Sequence, residues 1–194
     1  MNREEWLSKS AVMLAQILAG EGAPKTAVRA SVGFPSTRAL STSKRRVGEC
    51  WHSAASADRV PVVFVSPVLH DSIEVLGVLL HEMIHAACGK DVGHRGEFKR
   101  LADAVGLIGP ATQTRVGDEL AVALGQIVDE LGDYPQPKFD PLMGDRKKQS
   151  TRLLKILCSS PTCGYTARTT QKWLDIGLPT CVCGAPFKRA GEDL

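Results

Sequence analysis

No stretch of this 194-residue chain reaches the ~18 uncharged apolar residues that a membrane-spanning helix needs. There is no low-complexity tract and no internal repeat, which argues against a solenoid or a largely disordered chain. The opening residues, MNREEWLSKS, carry both signs of charge and lack the basic-then-apolar layout of a secretory leader. A cytoplasmic protein without a membrane partner is the expectation. Disulfides are scarce in a reducing compartment, so the six cysteines read as thiols or metal ligands. What is present is an ordinary globular composition, 43% hydrophobic and 23% charged. The length allows one core, or one domain with a small appendage.

The net charge of +3 is unevenly placed. Residues 144–194 hold nine Lys/Arg (Arg146, Lys147, Lys148, Arg152, Lys155, Arg168, Lys172, Lys188 and Arg189). Four acids stand against them (Asp145, Asp175, Glu192 and Asp193), for a net +5. The preceding 143 residues keep 15 basic and 17 acidic side chains, a net −2. A basic tail on a mildly acidic body points to a polyanion partner, or else to a solvated tail.

Hydrophobic spacing predicts a helix over Glu4–Leu18, ended by GEGAP. Three strand-like runs follow, Ala27–Gly33, Arg46–Trp51 and Val60–Val65, divided by turn-forming residues. Asp71 and Glu74 then resemble a capping box, and Gly89 supplies a stop. The helix between them is apolar on nearly every face, which marks it as buried in a core. Further helices are predicted over Glu97–Val105 and Asp118–Leu131. The expected division is a domain over 1–133, a linker over 134–150 and a cysteine-bearing unit over 151–194.

The buried helix carries His81-Glu82-Met83-Ile84-His85, and His94 follows in a glycine-flanked segment. Residues four apart on a helix lie ~40° apart around its axis, so His81 and His85 can reach one ion. Glu82 lies on the adjoining flank, where it can take a proton from water polarised by that ion without being a ligand. The alternative is a pair of core histidines, but two imidazoles and a carboxylate inside an apolar helix are costly without partners. Catalytic zinc usually keeps three protein ligands and one open position. His94 is favoured as the third; Asp91, Glu97, Asp103 and Glu119 are the rivals.

The segment VLLHEMIHAACGKDVGHRGEFKRLADAVG resembles the SprT-like (Spartan-type) metalloproteases. In that family a short sheet precedes a buried H-E-x-x-H helix, and a third histidine follows in a G-H-G-x-x-F-like segment. This chain has Gly93-His94-Arg95-Gly96-Glu97-Phe98, with Arg95 where the family often has glycine. The resemblance covers roughly residues 27–105 and the cysteine unit. It implies an α+β, zincin-like fold and a zinc-dependent endopeptidase. By that match His81, His85 and His94 hold the catalytic zinc, and Glu82 is the acid/base.

The distal unit contains Cys158-x4-Cys163 and Cys181-x-Cys183, and a glycine follows each second cysteine. Such Cys-Gly pairs suit zinc knuckles, in which backbone N–H groups point at sulfur. Four thiolates close a zinc shell, so a structural second zinc in a ribbon is expected. A unit of ~40 residues could scarcely fold without such a staple. The spacing departs from the common C-x2-C, which leaves a metal-free or disulfide-bonded ribbon as the alternative. Arg168, Lys172, Lys188 and Arg189 are candidate phosphate contacts, with Tyr165 and Trp173 as possible stacking platforms. For Trp173 a place in the ribbon's small core is favoured. The family implies a protein substrate associated with DNA. Two other readings stay open: a DNA-binding ribbon protein with a regulatory or weakly active H-E-x-x-H domain, and a repressor-cleaving protease of a mobile element. The last should use an acid as third ligand.

Overall fold

The computed structural model describes residues 1–141, 143 and 153–191. It is a mixed α+β chain with small sheets, and it divides into two units, Met1–Gly144 and Asp145–Leu194. Part of the expected linker, with Arg146, Lys147 and Lys148, lies outside the described residues, as does Arg152 at the start of the expected cysteine-bearing unit.

The first unit begins with α1 (Arg3–Gly20). Its start carries a reciprocal capping box: Asn2 accepts from the Glu5 backbone, and the Glu5 side chain returns to the Asn2 backbone. Three short strands follow: β1 (Arg29–Val32), β2 (Gly48–Trp51) and β3 (Val62–Val65). They form one sheet in the order β1-β3-β2, with β1 parallel and β2 antiparallel to β3. The strand rich in branched residues, β3, therefore takes the centre, where Val63 and Val65 are fully buried.

The helix that carries the histidines is α2 (Ser72–Cys88). The Asp71 carboxylate caps it by accepting from the Glu74 backbone at 2.8 Å, and Gly89 ends it at φ 84°. Val75, Leu76, Leu79, Leu80 and Ile84 have no exposed surface. The sheet packs against this helix, as do α1, α3 (Glu97–Ala104) and α4 (Asp118–Leu131). Ser72 fixes its first turn to the chain beyond α4. The hydroxyl donates to Asp133 at 3.2 Å and accepts from the Tyr134 backbone at 3.0 Å.

Between α3 and α4 lies a small hairpin that the sequence reading did not anticipate. Its strands are β4 (Leu107–Ile108) and β5 (Arg115–Val116). Gly77 lets this hairpin approach α2: a Cβ there would stand 2.5 Å from Cγ2 of Val116.

The second unit pairs β6 (Leu154–Cys158) with β7 (Thr166–Thr169) on one side and β8 (Phe187–Arg189) on the other, all antiparallel. A short helix, α5 (Gln171–Ile176), lies between β7 and β8 in sequence, in place of a simple hairpin connection. Ile156, Cys158, Leu174, Cys181 and Phe187 make its small core. Trp173, expected in that core, is 57% exposed, and its neighbour Leu174 is buried instead. Adjacent residues on a helix lie ~100° apart, and α5 presents Leu174 to Ile156 and Phe187 while Trp173 is turned to solvent.

Gly77→Ala tests the approach of hairpin to helix. The added methyl gains about 1 kcal/mol of helix propensity. Overpacking against Val116 costs about 1–3 kcal/mol, so a net loss of stability is expected by denaturant unfolding. Combining it with Val116→Ala should recover part of that loss; equal stability of Gly77→Ala and the native chain would show that the contact is loose.

Candidate metal centres

The glycines that follow α2 explain how His94 reaches the helix. Gly93 and Gly96 adopt φ 58° and 49°, a left-handed backbone that side chains disfavour. The loop they permit turns back over α2 and leads into α3. There Phe98, fully buried, lies against all three imidazoles, with ring centroids 4.3–5.0 Å apart. One nitrogen from each of His81, His85 and His94 falls within 4.8 Å of the others. His85 and His94 face each other through Nε2 atoms 3.1 Å apart. Tetrahedral zinc with Zn–N bonds of about 2.0–2.1 Å would hold two nitrogens roughly 3.3 Å apart, so the cluster fits such an ion.

The protonation chemistry also fits. Burial and then the neighbouring imidazoles hold His81 down to about 4 and His85 down to about 3. Burial and then Arg46 lower His94. All three are thus neutral donors at physiological pH, as metal ligation requires. The Nδ1 of His81 is engaged by the Thr114 hydroxyl at 2.8 Å, which leaves its Nε2 for an ion. Thr114 precedes β5, so the close packing at Gly77 places this orienting group. No motif in the sequence marks it.

Glu82 is buried on the flank of α2 that faces β2. A Cβ on Gly48 would stand 2.5 Å from Oε1 of Glu82, so the strand passes directly over the carboxylate. The Cys50 backbone N–H donates to it. Burial pushes its pKa up from the ordinary 4.5 to about 7, against the opposing charge of Arg46. A second carboxylate, Glu49, is buried on the same strand. It accepts from the Ser36 backbone at 2.8 Å and the Ser36 hydroxyl at 2.6 Å, and pairs with Arg46 at 2.9 Å. Burial alone would raise the Glu49 pKa, but those partners outweigh it and hold the group ionised.

The rival third ligands lie elsewhere. Glu97 pairs with Arg100 and Asp103 with Lys99, all exposed. Among the described residues, Asp91 and Glu119 join no group able to hold a metal. His52 follows β2 and is likewise outside the cluster. His81, Glu82, His85 and His94 instead line one cleft of about 750 Å³. A second cavity, of about 440 Å³ and lined by Arg3, Phe34, Pro67, Gln136 and Phe139, holds none of these groups.

In the second unit the Sγ atoms of Cys158, Cys163, Cys181 and Cys183 lie within 4.8 Å of one another. Cys158–Cys183 and Cys163–Cys181 are 3.5 and 3.7 Å apart, far beyond a disulfide bond of about 2.05 Å. Tetrahedral Zn–S bonds of about 2.3 Å would place sulfurs roughly 3.8 Å apart, so this set also fits zinc. Backbone N–H groups of Ser160, Tyr165 and Ala185 point at Cys158, Cys163 and Cys183. Each donor lies two residues after its cysteine. Gly164 and Gly184, at φ 64° and 88°, make the turns that aim two of them. The Ala185 N–H and the other thiols pull Cys183 down to about 7.

Strand register sorts the expected phosphate contacts. Arg168 stands opposite Lys155, and Lys188 opposite Leu157. Alternation along β6 therefore puts Lys155, Arg168 and Lys188 on the sheet face away from Ile156 and Cys158. Lys155 was not among the expected contacts. Arg189 pairs with Ile156 and belongs to the other face. Lys172 lies on α5, with Nζ 5.3 Å from the Trp173 ring centroid, and Tyr165 is half exposed.

Two outcomes are expected. For Glu82, a folded pKa above the unfolded value means that ionisation costs stability, beginning above pH 4.5 and complete above about 7. In metal-free protein Glu82→Gln should therefore be neutral at pH 4.5 and stabilising at pH 8, by on the order of 3 kcal/mol. Denaturant midpoints at the two pH values measure this, and identical midpoints at pH 8 would contradict the burial of a charged carboxylate. Separately, Cys163→Ser should melt the second unit while the α2 unit keeps its cooperative transition, as followed by amide exchange.

Comparison of the chain with protein-family models, with curated proteins and with solved structures finds no match.

Proposed function

We propose that the first unit is a zinc-dependent endopeptidase of the SprT-like, zincin-like type. The observation that carries this reading is the convergence of three neutral imidazoles beside a buried carboxylate, all opening on one cleft. The resemblance of the Val78–Gly106 segment to that family supports it. A zinc ion held by His81, His85 and His94 would act as a Lewis acid and lower the pKa of a water at its open position to about 7.

The remaining work belongs to the chain's own groups. Glu82, with a pKa of about 7, is poised to accept the proton of the attacking water at a carboxylate oxygen and return it to the leaving amine. The Cys50 N–H and the close passage of Gly48 fix where that carboxylate sits. Thr114 holds the His81 tautomer and ring orientation. Phe98 and the apolar side of α2 exclude water from the base of the cluster. Glu82 is not needed as a ligand, so its retention beside the triad favours an active enzyme over a structural metal site.

The second unit is proposed to be a zinc ribbon, with Lys155, Arg168 and Lys188 facing nucleic acid and Tyr165 and Trp173 stacking on bases. The substrate would then be a protein associated with DNA. The alternative of a ribbon-based DNA-binding protein with a weakly active first unit rests on the same basic face. The repressor-cleaving alternative is disfavoured because a histidine, and no acid, completes the cluster.

The deciding experiment is cleavage of a DNA-binding protein and of the chain itself, with and without single-stranded DNA. Glu82→Gln should lower the rate by at least about 10²-fold with zinc content unchanged. His94→Ala should lose zinc and activity together. Zinc-loaded, folded native protein that cleaves nothing would shift the reading to the binding protein. Cleavage indifferent to DNA would keep the protease and remove the nucleic-acid role.

A further inference from the structure

One wall of the histidine cleft is strongly basic, with charges that neither hold a metal nor activate water. The segment between β1 and β2 contributes Arg38, Lys44, Arg45 and Arg46 to the cleft lining. From Gly22 to Gly48 the sequence has six basic residues and no acid. Of the four that line the cleft, only Arg46 has a carboxylate partner among the described residues, Glu49. Arg45 donates through Nε to the Ser41 carbonyl at 3.1 Å, a contact that leaves its charge unneutralised. Arg38 and Lys44 are exposed. Among the described residues Glu82 is the one acid in the lining.

The loop is built to hold those charges in place. Arg38 and Lys44 have φ 57° and 50°, a left-handed backbone that is uncommon for such side chains and tends to persist at functional sites. The Arg46 backbone closes the loop onto the Arg38 carbonyl at 3.4 Å, and the Ser41 backbone does so at 3.1 Å. Its base is anchored by the buried Glu49, which grips Ser36 and Arg46 at either end. Like charges are thus gathered in one part of the lining, a setting that favours an anionic ligand and weakens as salt screens it.

The opposite wall identifies the kind of anion. It offers Thr112, Gln113 and Thr114, uncharged hydrogen-bonding side chains suited to a peptide backbone. Among the described residues no Phe, Tyr or Trp lines the cleft, so the broad aromatic platforms on which single strands stack are missing from it. We infer that this cleft takes an acidic peptide segment, with Asp or Glu side chains on the Arg38–Arg45 wall and backbone on the threonine wall. This rests on the hydrolytic reading of the same site and names its substrate class: cleavage beside clusters of acidic residues.

The test separates binding from chemistry. Zinc-loaded, full-length Glu82→Gln protein is titrated with fluorescent peptides of one length, rich in Asp/Glu, in Ser/Gln or in Lys, at 50 and 300 mM NaCl. The acidic peptide should bind about tenfold more tightly than the neutral one at low salt, summing several modest ion pairs. That preference should shrink at high salt. A variant carrying Arg38→Asn, Lys44→Asn and Arg45→Gln should abolish it. Asparagine tolerates the left-handed backbone and glutamine keeps a donor, so charge is removed without unfolding the loop. Equal affinity for acidic and neutral peptides overturns the inference, as does a preference that survives in the variant. Displacement of the acidic peptide by a single-stranded oligonucleotide whose own binding falls in the same variant also overturns it, and makes the wall a nucleic-acid surface. Cleavage of the three peptides by native protein is read in parallel. An acidic preference in binding with no cleavage removes the hydrolytic reading alone; uniform cleavage with no preference removes this inference alone.

Discussion

The first unit depends on how α2 is buried. A helix apolar around nearly its whole circumference must be enclosed on every side, and the sheet, α1, α3, α4 and the β4–β5 hairpin do so. Enclosure then dictates the chemistry of the polar side chains it carries. Buried imidazoles resist protonation and a buried carboxylate resists ionisation, so the same low-dielectric setting lowers His81 and His85 and raises Glu82. A metal ion is the partner that would offset both penalties at once.

Two strands of the enclosure set the fine geometry, and both use a glycine for close approach rather than for flexibility. Gly48 brings β2 over Glu82, and Gly77 lets β5 settle on α2 one turn before His81. The two flanks of the helix thereby acquire different roles. The β2 flank holds the Glu82 carboxylate, and the hairpin flank holds the His81 imidazole through Thr114. Glu49 extends this order outward. It is a buried, ionised carboxylate that ties the basic loop to the strand lying over Glu82.

The second unit reaches its fold by a different balance. Five buried side chains are a small core, and two of the five are cysteines. Its compactness therefore rests on the four-sulfur cluster and on the N–H donors aimed at it more than on apolar area. That economy leaves Tyr165, Trp173, Ile176 and Val182 exposed. It also leaves a basic face on Lys155, Arg168 and Lys188, set by strand alternation alone.

Local sequence signals determined much of this protein. Helical periodicity with its caps placed α1, α2, α3 and α4 to within a few residues, because burial of one face and termination at Gly or Asp are short-range effects. Spacing alone set His81 and His85 on one helical face, and the Cys-Gly pairs announced sulfur-directed turns. The tertiary structure decided what spacing could not. It brought His94, nine positions on and beyond the end of α2, back to His85, placed Thr114 on His81, and put Gly48 over Glu82. It gathered Arg38, Lys44 and Arg45 into one wall, and it turned Leu174 inward where Trp173 was expected. These pairings join residues distant in sequence or depend on which of two adjacent side chains faces the core. No periodicity encodes them, since they follow from the simultaneous packing of several elements around one buried helix.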